Sequence, residues 1–296
     1  MDTRDALVVD AFAPEPMTGT PVGVILDGAS LAPDQRDRIA GEFGAPVTAF
    51  VGRDDGWQLR LGGESAGRPL HVGVAAATAL RERDRLEDDA DAVPLQLPDA
   101  AMTVTLDAEG RAWVDVDEPD LRSPEVTEAE AADALGIDKA AIRDVAADLP
   151  LVRASLGRGV LAVPVNFLEH LSGADPDPGA VTEVLDRTGA ACLYAYTFDT
   201  LAGDRDVHGL AVDGDGQVAG PTGEAAACAA AAIRRHGAMD HDRDTLRFEA
   251  GDLLDRPVRL AIRTGDGYAV GGRAVTVVDG RIVVPPAEEG GDIIEA

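Results

Sequence analysis

Two residues stand where chemistry would need them, each at the start of an unusually apolar segment. His71 opens the run His71-Val72-Gly73-Val74-Ala75-Ala76-Ala77-Thr78-Ala79-Leu80, and Glu224 follows Gly223 at the head of an Ala/Cys run that reaches Arg235. An imidazole with a pKa near 6.5 can give or take a proton at neutral pH, so His71 is a candidate general acid or base; a hydrogen-bonded structural histidine is the competing reading. Glu224 is a candidate catalytic or ligand-contacting carboxylate. The plainer reading is a helix cap, because a negative charge in the first turn gains about 0.3–1 kcal/mol from the helix dipole. Other motifs lead nowhere. Asp213-Gly214-Asp215-Gly216 lacks the further oxygen ligands of a calcium loop and reads as a turn. The Gly214, Gly216, Gly220 spacing misses a dinucleotide fingerprint by one residue. Ser155 lacks the glycine two positions upstream that a nucleophile elbow needs. Cys228 lies five residues inside its helix, where a thiol packs as core.

The elements that must position these residues follow from period. Ala6–Phe12, Val22–Leu26, Thr48–Val51 and Trp57–Leu61 read as strands, and Ala32–Phe43 as a helix with Pro33 at its start and Ile39, Ala40 and Phe43 on one face. In the second half Ala162–Val165, Cys192–Thr197, Val207–Val212 and Leu246–Phe248 read as strands, with a surface helix from Glu125 to Leu135. The runs headed by His71 and Gly223 have no polar face, and a helix apolar all round is buried on every side. They begin about half a chain length apart, each after a Gly/Pro-rich loop, 62–69 and 214–221. Strands wrapping a buried helix, done twice, predict an α+β fold of two pseudo-symmetric lobes, 1–118 and 119–286, the last strand returning to the first lobe and 287–296 a loose tail. If the lobes face each other, both helix N-termini aim at one cleft. Their unpaired N–H groups and dipoles favour a carboxylate there, so the expected ligand is a small organic acid.

The 296 residues carry 26 Lys+Arg against 54 Asp+Glu, a net charge of −28, which disfavours nucleic acid and anionic membrane as partners. With 45% hydrophobic residues the chain has enough apolar material for a core. Lys139 is the single lysine, and an Asp-rich surface nearly free of lysine resembles that of proteins from extreme halophiles. Two cysteines make neither a disulfide framework nor a zinc cluster, so no metal is expected. The start of the chain lacks the pattern of a secretory leader, and no apolar run approaches membrane-spanning length, which leads to the expectation of a cytoplasmic protein.

Val9-Asp10-Ala11-Phe12, Gly19-Thr20-Pro21-Val22, Thr48-Ala49-Phe50-Val51, Trp113-Val114, Asp206-Val207-His208, Thr222-Gly223, Arg234-Arg235-His236-Gly237 and Val270-Gly271-Gly272-Arg273 follow one another in the order and spacing of the PhzF (phenazine biosynthesis) family. The chain resembles that family over nearly its whole length. The resemblance implies the diaminopimelate epimerase fold, a cofactor-independent isomerase that shifts a proton on a small organic or amino acid, and a homodimer. It implies substrate contacts at Thr48, Val72, Gly73, Thr222, Gly223 and Ala225, with His71 and Glu224 as the remaining titratable groups. Three positions depart from the pattern. Val47 stands where the family carries its proton-transferring glutamate, Ala219 replaces an aspartate and Glu224 a serine. Glu64, in the loop before His71, substitutes for the missing glutamate if the register slips by one residue; a solvated loop residue is the alternative. Loss of these carboxylates keeps a second expectation open, a non-catalytic binding or scaffold protein of the same descent.

Overall fold

The computed structural model describes residues 1–63, 69–87, 90–143, 149–219, 223–238 and 243–287. Fold and composition agree first at the two small-residue helices. α2 (Leu70–Glu82) buries nine of its thirteen residues, and α7 (Gly223–Arg235) buries every residue from Gly223 to Ile233. Alanine and glycine let strands approach such helices closely. A Cβ on Gly73 would collide with the Met102 sulfur, so larger residues at that contact would push the sheet away.

The strands pair into one continuous sheet. β1 (Thr3–Ala11), β2 (Thr20–Leu26), β3 (Val47–Asp54), β4 (Gly56–Gly63), β5 (Ala92–Gln96), β6 (Ala101–Leu106) and β7 (Arg111–Val116) follow in chain order, and β16 (Tyr268–Val283) closes the ring by pairing with both β7 and β1. α2 lies inside this ring. On its other flank β16 continues into β15 (Val258–Arg263), β14 (Thr245–Ala250), β12 (Val207–Val212), β11 (Cys192–Thr197), β10 (Gly159–Pro164), β9 (Val152–Ser155) and β8 (Asp120–Arg122), which curl over α7. The short β13 (Val218–Ala219) hangs on β12. A single connected apolar cluster holds residues of both helices, from Leu70 to Leu80 and from Ala225 to Ile233.

Outside the sheet, α1 (Pro33–Phe43) covers Ile25 and Phe50, and α3 (Glu128–Leu135) packs on α6 (Pro178–Thr188) over β10 and β11. Two further described helices, α4 (Ala140–Arg143) and α5 (Leu168–Ser172), are single turns. The sequence places the start of α3 at Glu125. The structure starts it at Glu128, because Thr127 caps it, accepting from the Glu130 N–H while Glu130 accepts from the Thr127 N–H at 2.7 Å. Just before α3, β8 adds a further strand to the sheet by pairing with β9. Pro285 and Pro286 are held by Gln35 and Arg38, whereas 288–296 lie outside the described residues. No described helix is long and apolar enough to cross a membrane.

Candidate active site

β3 alternates, and the alternation sorts the predicted residues. Val47, Ala49 and Val51 face inward and join the cluster around α2, while Phe50 packs outward against α1. Thr48 shares the Phe50 face. Its fully buried hydroxyl finds no partner among the described residues, and it lies beside the position a Cβ on Gly23 would take, where the Phe43 ring also sits. The Thr48 side chain thus turns toward α1, away from the helix starts.

The helix starts themselves meet. A Cβ on Gly223 would collide with Val270 of β16 and would lie in ordinary contact, 3.5 Å, with Leu70 Cδ1, so the first residue of α7 packs beside the first residue of α2. α2 enters without a capping side chain; the Pro69 carbonyl accepts from Val72 and Gly73 at 3.0 and 3.1 Å. The positive ends of two helix dipoles thus lie close together in an apolar surrounding. Val72, Gly73 and Ala225 are buried in those first turns. Thr222 and Glu64 lie outside the described residues.

His71 sits at the edge of this spot, partly exposed, and burial pushes its imidazole down to about 4. The folded protein therefore holds it neutral at pH values where the unfolded chain, near 6.5, is already protonated. The sign follows: this contribution to stability is complete above about pH 6.5 and is lost as the pH falls toward 4. Relative to His71→Asn, the wild type is expected to lose up to about 1.4 kcal/mol of unfolding free energy per pH unit across that window, as measured by urea titration. Parallel profiles for the two proteins would show that the imidazole is not held neutral.

Glu224 is 7% exposed and points elsewhere. Its Oε1 accepts from the Arg158 N–H at 3.4 Å in the β9–β10 turn. Its charge also reaches both thiols. Burial, aided by Glu224, pushes Cys192 up to about 11 and raises Cys228 further, so neither thiol is a nucleophile at neutral pH.

Two buried carboxylates with side-chain partners escaped the sequence reading. Asp10, fully buried, accepts from Arg256 at 2.7 Å and from the Met17 N–H at 3.0 Å. Burial raises its pKa, and Arg256 works against the rise. Farther along, His208 Nδ1 lies 3.0 Å from Glu249 Oε1, both side chains being at most 1% exposed. A carboxylate only accepts, so Nδ1 carries the proton. His208, Glu249 and Asp252 offer ligand atoms within 4.8 Å of one another, a spacing that would suit a metal ion. His208 Nε2 is buried without a partner among the described residues, but the two carboxylates are already committed. Glu249 accepts from the Leu201 and Ala202 N–H groups, and Asp252 takes both forks of Arg259 at 2.8 and 3.0 Å, so a guanidinium fills the place of the cation.

Comparison with known proteins adds four findings. The family model described as phenazine biosynthesis-like protein, PhzC-PhzF, matches residues 9–280. The uncharacterized isomerase YfhB of Bacillus subtilis (strain 168) is 29% identical over 216 residues, 71% of this chain and 72% of that protein. Among solved structures, a PhzF-family phenazine biosynthesis protein of Bacillus anthracis superposes with a TM-score of 0.81 at 22% identity over 96% of this chain and all of that one. A predicted epimerase of Pseudomonas aeruginosa gives 0.76 at 23% identity over 95% of this chain and all of that one. At such identities the structural likeness speaks to the fold, an α+β, sheet-dominated architecture of the epimerase type.

Proposed function

The chain belongs to the phenazine biosynthesis-like (PhzC-PhzF) family, and from that premise we propose that it is an isomerase, one that moves a proton without a cofactor on a small organic or amino acid held between 1–118 and 119–286. The observation that carries this reading is the meeting of the α2 and α7 starts beside His71. The ligand carboxylate is held at the positive ends of the two helix dipoles, which need no reorganisation to receive it. That negative charge favours the imidazolium, lifting the His71 pKa from its low unliganded value toward the range in which it exchanges a proton with carbon. The surrounding Val and Ala side chains exclude water from the step.

A second reading rests on Val47. It is 2% exposed among apolar neighbours, at the position where the family resemblance implies a glutamate. A protein that binds the acid but does not turn it over is consistent with that residue. Proton NMR in D2O with small amino, hydroxy and unsaturated acids separates the two. Loss of a C–H signal supports the isomerase, and saturable binding without exchange supports the binding protein.

Restoring the carboxylate alone is expected to fail. Val47→Glu would bury a carboxyl with no partner in place, costing about 2–4 kcal/mol by thermal or urea unfolding and adding no exchange activity. Strong turnover in that single variant would overturn the argument that several positions changed together.

A further inference from the structure

The outer face of the sheet carries a trough that the proposed reaction does not use. It has a volume of about 550 Å³ and is lined by Arg111, Trp113, Arg205, Arg243, Arg247 and Arg263, with three aspartates. Its floor follows from register. Arg247 of β14 pairs with Ala261 of β15, Ala261 with Gly271 of β16, and Gly271 with Trp113 of β7, so two small residues separate an arginine from a tryptophan across the sheet. A Cβ on Gly271 would collide with the indole ring, which therefore lies flat on the backbone of β16. The Arg263 guanidinium stacks 3.6 Å above the same ring, and Trp113 Nε1 donates to Asp107 Oδ2 at 2.9 Å. The ring is clamped from below, above and the edge. Arg263 is thus held as a preoriented fork.

The charges around it are unequally matched. Arg243 pairs with Asp206 at 2.6 Å and Arg205 with Asp204 at 3.0 Å, and the second oxygen of Asp206 accepts from the Arg247 backbone N–H. Arg247 and Arg263 make no ion pair among the described residues. On a chain with two carboxylates for every cation, a merely solvated face would surround each arginine with acids. Here Arg111 is taken by Asp107 and Glu109 at 2.8 and 3.2 Å, and Arg205 and Arg243 have their own aspartates, while Arg247 and Arg263 keep their forks open.

We propose that this trough binds a small multivalent oxyanion, a di- or tricarboxylate or a phosphate ester, between Arg247 and Arg263. It lies on the opposite side of the sheet from α2 and α7, so its occupancy is separable from substrate turnover. Guanidinium forks match carboxylate and phosphate oxygens in pairs, and a ligand with two or more charges engages both arginines at once.

The second tryptophan, Trp57, is remote on β4, so a Trp57→Phe protein reports Trp113 alone. Citrate and pyrophosphate are titrated against it at constant ionic strength set with potassium chloride. The expected result is a saturable change in emission as Arg263 shifts over the ring, with one of the two anions binding at least tenfold more tightly and so identifying the carboxylate or phosphate source. Calorimetric titration of Arg247→Ala and Arg263→Ala is expected to show affinity reduced tenfold or more in each, with the unfolding midpoint nearly unchanged. A response that tracks ionic strength alone, or equal affinity in the double variant, overturns the proposal.

Discussion

Solvent deuterium incorporation into the substrate is expected to fall about 10²–10⁴-fold when His71 is replaced by alanine, the usual worth of a positioned acid–base group. Two features make this the largest functional effect. His71 is the titratable side chain in the first turn of α2, at the point where α7 begins, and burial has already stripped its imidazole of the positive charge it would hold in water below pH 6.5. The same pKa sets the shape of the pH profile. Because kcat/KM reports the free protein, its acidic limb should lie near pH 4 rather than near 6.5. A histidine serving only to pack would give a different pattern: His71→Gln, which keeps size and hydrogen bonding, would restore exchange. Undiminished exchange in His71→Ala would remove the residue from the mechanism altogether.

The largest effect on stability is expected at a residue outside that site. Glu249→Ala should cost about 3–5 kcal/mol, measured as the change in free energy of urea unfolding. The carboxylate is fully buried and does three things at once: it accepts from His208, from two successive backbone N–H groups at Leu201 and Ala202, and it lies 3.9 Å from Arg259. Its removal strands an imidazole and two amides in a dry interior, and each unmet donor keeps its desolvation cost. Glu249→Gln, which retains one oxygen, should cost clearly less. Equal losses in the two variants would mean that shape rather than hydrogen bonding is responsible.

What could be read from the sequence divides along physical lines. α2 and α7 were legible because no polar face interrupts them, and β11 and β12 were legible to the residue because both are short, largely apolar runs bounded by turns. β16 was not. It is buried from Ala269 to Gly272 and exposed over much of its far end, so no single alternation runs along it, and Gly271, Gly272 and Gly280 read as breaks. α6 carried its own signals, Asp177 as cap, Pro178 at the first position and Gly189 in the left-handed conformation at the end, and its amphipathic face was overlooked between two strand readings. Of the candidate site, the sequence shows which residues begin the helices and not where Glu224 points, because that depends on the β9–β10 turn packed beside it. The arginine trough was beyond reach for a related reason. Trp113 and Arg263 are 150 positions apart and meet only because β16 inserts between their strands.

That insertion has a consequence for how the chain reaches its native state. β1 pairs with β16 from Thr3↔Val283 to Ala11↔Ala274, so the first strand waits for nearly the last one. As the polypeptide leaves the ribosome, β1 to β7 can assemble hairpins, yet the ring around α2 stays open until β16 follows, about 150 residues after the end of β7. Such high contact order slows the final closure and leaves two unpaired edges, on β1 and β7, during synthesis. A gene cut at the midpoint would therefore yield not a stable half but an unsealed sheet with an exposed apolar helix.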